Sequence, residues 1–175
     1  SGLLLLLAGV RAADAPTSKA AAAVATKGTV LVTGANRGIG LELAKQLRAA
    51  GYEVIGTART PAEAAELRAT GARVVALDVT DAKSVAALAE NIKGTAIDIL
   101  INNAGIFPRT ETMGSIGTIT FGEIEKTLAT NTIGPMRVTQ ALLPNLRAGK
   151  RKLIVSVPSR LGSIEGSTNG TYYGY

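Results

Sequence analysis

The chain has 175 residues, a formal net charge of +6 and a hydrophobic share of 46%, a composition that builds a packed core and not a disordered chain. It has no cysteine and no histidine, which excludes disulfide frameworks, thiol chemistry, histidine-based zinc sites and serine–histidine–aspartate catalysis. Aromatics make up only 3% and the basic residues are scattered, so the charge lacks the aromatic-interleaved groove of a nucleic-acid binder.

Leu3 to Val10 reads L-L-L-L-L-A-G-V and runs into an Ala-rich stretch ending at Thr26. The apolar run is too short to span a bilayer, which takes about 20 residues. It resembles the end of a signal-peptide apolar region, with small residues near Ala12 to Ala15. Residues 1–27 are therefore read as a secretory or organellar targeting remnant, or as a flexible apolar arm on an otherwise cytoplasmic protein. The fold is expected in residues 28–175.

Thr29 to Thr33 is a short apolar, β-branched run, hence a buried strand. Gly40 to Ala50 carries Leu41, Leu43, Ala44 and Leu47 at helical spacing, with Gly51 as a stop. Tyr52 to Thr57 reads as the second strand, Pro61 to Thr70 as a Pro-initiated helix, and Arg73 to Leu77 as the third strand. Thr80 is expected to cap a helix over Asp81 to Ile92, followed by a fourth strand, Ala96 to Ile101. One long helix is expected from Phe121 to Leu143, ending near Pro144, then a fifth strand, Lys152 to Val157, and a Gly/Ser/Thr-rich loop. Strand and helix alternate five times, which predicts an α/β fold with a doubly wound parallel sheet. In such sheets ligands bind beyond the carboxyl ends of the strands, where strand order reverses.

The first strand runs into Thr33-Gly34-Ala35-Asn36-Arg37-Gly38-Ile39-Gly40. The glycines are spaced G-x-x-x-G-x-G at the first strand-to-helix junction, the setting in which a helix N-terminus meets a phosphate. Gly34 is expected to allow the tight turn, Gly38 the approach of a pyrophosphate, and Gly40 close helix–strand packing. After the second strand the sequence is Gly56-Thr57-Ala58-Arg59-Thr60. No acid stands there to hold a ribose 2′-hydroxyl, whereas Arg59 and Arg37 offer guanidinium forks for a 2′-phosphate. Both arginines also fit a solvated surface, but their two positions favour NADP.

With these motifs the chain resembles the classical short-chain dehydrogenases/reductases, and its S-R-L-G-S-I wording is similar to the C-factor and sniffer-type carbonyl-reductase branch. T-G-A-N-R-G-I-G matches the family's glycine motif, Asp78-Val79 its adenine-contacting acid, and Asn102-Asn103-Ala104-Gly105 its N-N-A-G. The resemblance implies a Rossmann fold with five of the usual strands present. It implies cofactor-binding roles for Gly34, Asn36, Arg37, Gly38, Ile39, Gly40, Arg59, Asp78, Val79, Asn103, Ala104 and Gly105. It implies catalytic roles for Asn131, which would hold a water in a proton relay, for Ser159, which would polarise the substrate oxygen, and for Tyr175, which would move the proton, with Tyr172 and Tyr173 as competing candidates. On the residues alone, Asn131 also reads as a packing residue, Ser159 as a turn residue, and Asn102 and Asn103 as braces of a loop.

The implied activity is NADP-dependent hydride transfer on a small carbonyl or alcohol substrate, with no metal, no nucleic acid, no membrane span and a homo-oligomeric full-length parent. The alternatives are a non-catalytic NADP-binding or scaffold protein and a 3-oxoacyl carrier-protein reductase of the same family. The family's tyrosine is followed four residues later by a lysine, a position beyond Tyr175. The chain is accordingly expected to be a fragment of a longer enzyme, without turnover by itself, and its fifth strand an uncovered apolar edge.

Overall fold

The computed structural model describes residues 26–107 and 117–159. Five strands form one parallel sheet: β1 (Thr29–Val32), β2 (Glu53–Ala58), β3 (Arg73–Ala76), β4 (Ile99–Asn102) and β5 (Leu153–Ser156), in the order β3-β2-β1-β4-β5. All four pairings are parallel, with Leu31 opposite Ile55 and Leu100, and Leu100 opposite Ile154. The helices are α1 (Gly38–Ala49), α2 (Ala65–Ala69), α3 (Ala82–Asn91), α4 (Phe121–Leu128), α5 (Gly134–Ala141) and α6 (Leu143–Ala148). This is the expected doubly wound sheet, and strand order reverses between β1 and β4.

Side chains alternate across a strand, and the core follows that rule in two layers. Leu31, Ile55 and Leu100 point to one face and pack under α3, α5 and α6 with Leu88, Ile92, Val138 and Leu142. Val30, Val32, Val54, Ile99 and Ile101 point to the other and pack under α1 and α2 with Leu41, Ala44 and Leu67. Each of these large side chains contributes about 1.5–3 kcal/mol by leaving water. At β5 the pattern changes. Leu153 and Ile154 are each 46% exposed, and among the described residues β5 pairs only with β4.

Three local expectations are corrected. Pro61 to Thr70 is not one helix: Pro61–Glu63 forms a 3₁₀ turn, and α2 begins only at Ala65. The break falls at Ala64, which is buried with ψ of 50°. Asp81, not Thr80, caps α3, accepting from the Lys83 N–H at 2.9 Å. The Thr80 hydroxyl is spent on Asp78, 2.7 Å away. The long helix is interrupted as well. A π-helical turn, Ala129–Ile133, separates α4 from α5, and Pro144 lies in the first turn of α6 instead of ending the run. Proline is tolerated there because first-turn N–H groups have no helical partner.

Candidate functional site

The glycine loop and the turn after β4 are built as one unit. Gly34 has φ of 63°, a left-handed conformation open to glycine, and a Cβ there would lie 2.9 Å from the Ala104 Cα. The Thr33 hydroxyl oxygen accepts from the N–H groups of Asn103 and Ala104, both at 3.0 Å. In return the Asn103 amide donates to the carbonyls of Thr33 (2.9 Å) and Gly34 (3.1 Å). The Asn103 side chain thus braces the loop that would carry a ligand. From the other side, Thr57 receives the Gly34 N–H on its hydroxyl (3.2 Å) and the Ala35 N–H on its carbonyl (2.8 Å). A side chain at Gly40 would overlap the Asn103 amide and the Gly34 carbonyl. Its close contact is therefore with the neighbouring loop, where the sequence suggested helix against strand. At Gly38, φ is 56° and a Cβ meets nothing within 4 Å.

A cleft of about 710 Å³ opens over this unit, within the size range of small-molecule and cofactor sites. All twelve residues expected to bind cofactor line it. The N-terminus of α1 enters the cleft with no side chain capping it and no acid in its first turn, so its N–H groups and positive dipole end are free to receive an anion. Arg37 precedes that helix and Arg59 follows β2; both are exposed and line the cleft. Asp78 Oδ1 accepts from the Thr80 hydroxyl (2.7 Å) and the Thr80 N–H (2.9 Å). These two bonds, with a smaller contribution from the Arg59 charge, hold its carboxyl below the ordinary range, so it is an acceptor at neutral pH. The uncapped helix end, the open Gly38 and the paired arginines suit a dinucleotide.

The cleft also contains residues that sequence reasoning missed, among them Glu63, Lys126 and Thr130. Lys126 and Thr130 are four apart, the spacing that puts two helical side chains on one face. That signal was present, but which face fronts the cleft depends on packing.

The expected reaction residues are only partly brought together. Asn131 sits within the π-helical turn, and both its amide atoms bond the backbone of one residue in the loop after β4. Oδ1 accepts from Ile106 N and Nδ2 donates to Ile106 O, each at 2.9 Å. Ser159 is half-buried just beyond β5. Tyr175, with Tyr172 and Tyr173, lies outside the described residues. Asn102 at the end of β4 donates to Thr139 Oγ1 at 3.3 Å, while its Oδ1 is buried without a partner.

The family model described as short chain dehydrogenase matches residues 28–174. The chain belongs to the short-chain dehydrogenase family. Among its relatives are the C-signal protein of Myxococcus xanthus, 37% identical over 51% of this chain and 52% of that one, and 1-hydroxy-2-glutathionyl-2-methyl-3-butene dehydrogenase of a Rhodococcus strain, 35% identical over 84% of this chain and 63% of that one. Of solved structures, a short-chain dehydrogenase/reductase from Burkholderia multivorans with bound NADP superposes with a TM-score of 0.73 at 29% identity, covering 85% of this chain and 65% of its own. An NADPH-bound carbonyl reductase from chicken fatty liver gives 0.70 at 36% identity, over 81% and 63% of the two chains. The chain thus spans between about half and two thirds of these relatives' lengths.

Proposed function

We propose that this chain is the cofactor-binding part of an NADP-dependent carbonyl reductase or alcohol dehydrogenase. The observation that carries the reading is the pair Arg37 and Arg59 on the wall of the cleft, with no acid at the end of β2. Two guanidinium groups beside an uncapped helix end favour a 2′-phosphate over a free 2′-hydroxyl. The NADP- and NADPH-bound neighbours support the same reading.

Bound NADP would supply the hydride chemistry. The residues of the chain would do the rest. The α1 N-terminus and Gly38 would receive the pyrophosphate, Asp78 would accept from the adenine amine, and Asn103 would keep the loop in shape. Ser159 would donate a hydrogen bond to the substrate oxygen, stabilising the negative charge that grows there. Tyr175 would give that oxygen its proton in reduction and take it back in oxidation. Asn131 would act as a positioning residue, fixing the Ile106 peptide beside the nicotinamide end.

A second reading rests on Glu63, which lines the same cleft and could hold a ribose diol in an NAD enzyme. Titration calorimetry with NADPH and NADH separates the two. NADPH is expected to bind tighter, and Arg59→Ala to weaken it roughly 10- to 100-fold, the worth of a lost charge-assisted hydrogen bond, with NADH unchanged. Tighter NADH binding that Glu63→Gln abolishes would establish the NAD reading instead.

A further inference from the structure

The end of the sheet away from the cleft carries a second surface. The turn from α6 to β5 presents three consecutive exposed cations, Lys150, Arg151 and Lys152, at the N-terminal ends of the strands. The backbone of this turn is held firmly. Asp98 Oδ1 accepts from the N–H groups of Lys150 (2.7 Å) and Arg151 (3.3 Å), and Oδ2 accepts from that of Thr29 (2.8 Å). Gly149 lies so close to the Ile97 peptide that any side chain would overlap it. The Arg151 guanidinium reaches under the sheet to within 5.7 Å of the Tyr52 ring centroid. Exposed Lys27 joins the same face, its N–H donating to Gly51 O at 3.0 Å.

This charge is only partly neutralised locally. Among the described residues the ion pairs are Arg48 with Glu53 and Lys93 with Glu90. Glu53, which follows Tyr52 at the start of β2, is therefore already paired. Asp98 is 7% exposed; its carboxylate, held by backbone N–H groups and acting on the Lys150 charge, offsets one of the positive charges and leaves the face net basic. The four cations Lys27, Lys150, Arg151 and Lys152 are exposed and form no ion pair among the described residues. The chain also enters the fold here: Thr26 and Lys27 connect this face to the segment that contains Leu3 to Val10.

We propose that this face docks on an anionic lipid bilayer, with the basic turn lying against the headgroups and Leu3 to Val10 as a second, apolar attachment. One weak apolar anchor holds a membrane only marginally, and stable attachment takes two signals, an apolar segment and a basic patch being one such pair. Each basic residue near an anionic surface strengthens binding roughly fivefold. A nucleic acid fits this face less well, because its exposed cations come with a single aromatic, Tyr52, and Arg151 lies over that ring where a base would have to stack.

The test is co-sedimentation of the 175-residue chain with vesicles of phosphatidylcholine alone and with about a third phosphatidylserine added. Binding is expected only to the anionic vesicles and should fall as salt rises. Lys150→Glu with Lys152→Glu should weaken it roughly tenfold or more. Lys45→Glu with Lys83→Glu, which changes net charge equally on α1 and α3, should leave it intact. Circular dichroism monitors folding. Should the Glu pair unfold, Lys150→Gln with Lys152→Gln decides, with an intermediate loss expected. Equal binding to both vesicle types, full binding by either folded variant of the turn, or tighter binding to duplex DNA than to the anionic vesicles would overturn the proposal.

Discussion

Gly38 and Gly40 lie two residues apart in the same loop, yet they constrain it for different reasons. A side chain at Gly40 would overlap the Asn103 amide and the Gly34 carbonyl, so Gly40→Ala must displace the brace between the two loops. The expected cost is about 2–3 kcal/mol of stability, in the range of overpacked cores, together with loss of dinucleotide binding. Gly38→Ala meets no neighbour but must hold φ at 56°. It should cost only about 1–2 kcal/mol, the penalty of a left-handed alanine. Urea denaturation of the two variants beside NADPH titration checks this, and equal destabilisation would contradict the geometry. The spacing of these glycines was readable from the sequence, and so was their link to a phosphate site. Gly40's actual neighbour was not, because Asn103 arrives from 63 positions further along the chain.

At the scale of elements, two polar side chains decide where chain segments sit. Asn131 ties the π-helical turn to the Ile106 peptide through both its amide atoms. Asn131→Ala would leave that N–H and carbonyl without partners, at about 2 kcal/mol. Hydrogen exchange at Ile106 should accelerate while the β1 amides stay protected; unchanged exchange at Ile106 would contradict the brace. Asp98 joins β1, β4 and the α6–β5 turn. The Thr29 N–H, aided by those of Lys150 and Arg151, holds its carboxyl below the usual range. A carboxyl depressed in the folded state adds stability that is complete above its unfolded value, near 3.9, and is lost as pH falls through the folded one. Wild-type urea midpoints should therefore drop on acidification below about pH 4, and Asp98→Asn should be less stable at pH 7 with a smaller acid-induced drop. Parallel curves for the two proteins would contradict the role of the charge. Strand positions were legible because each is a short run built around adjacent Val, Ile or Leu residues. The break in the long helix was not, since the residue that Asn131 bonds within it, Ile106, lies 25 residues upstream. The choice between Thr80 and Asp81 as cap was equally hidden, both being capping residue types, and was decided by the Asp78 carboxylate claiming the Thr80 hydroxyl.

For the whole molecule, the alternating βα pattern was sufficient to predict a doubly wound sheet and to place a cleft at the strand ends. What the sheet leaves outside is a separate question, answered by exposure. Leu153 and Ile154 of β5 are each 46% exposed on an edge that pairs only with β4 among the described residues. Exposed apolar edges recruit other chains. A second apolar surface lies on the helices, where Phe121 is 73% and Met136 68% exposed. Both predict self-association of the 175-residue chain, by different routes. Strand pairing through β5 would be opposed by Ile154→Lys, because a lysine on an edge disfavours further pairing; at an exposed site it should change stability by no more than about 0.5 kcal/mol. Helix packing through α4 and α5 would be opposed by Met136→Lys. Sedimentation velocity over a range of concentrations distinguishes them. Ile154→Lys is expected to give the larger shift toward monomer, because β5 exposes unpaired backbone groups as well as apolar side chains. If Met136→Lys alone restores the monomer, the helix face is the contact and the β5 edge is protected in solution. A wild-type chain that stays monomeric at every concentration would contradict both routes.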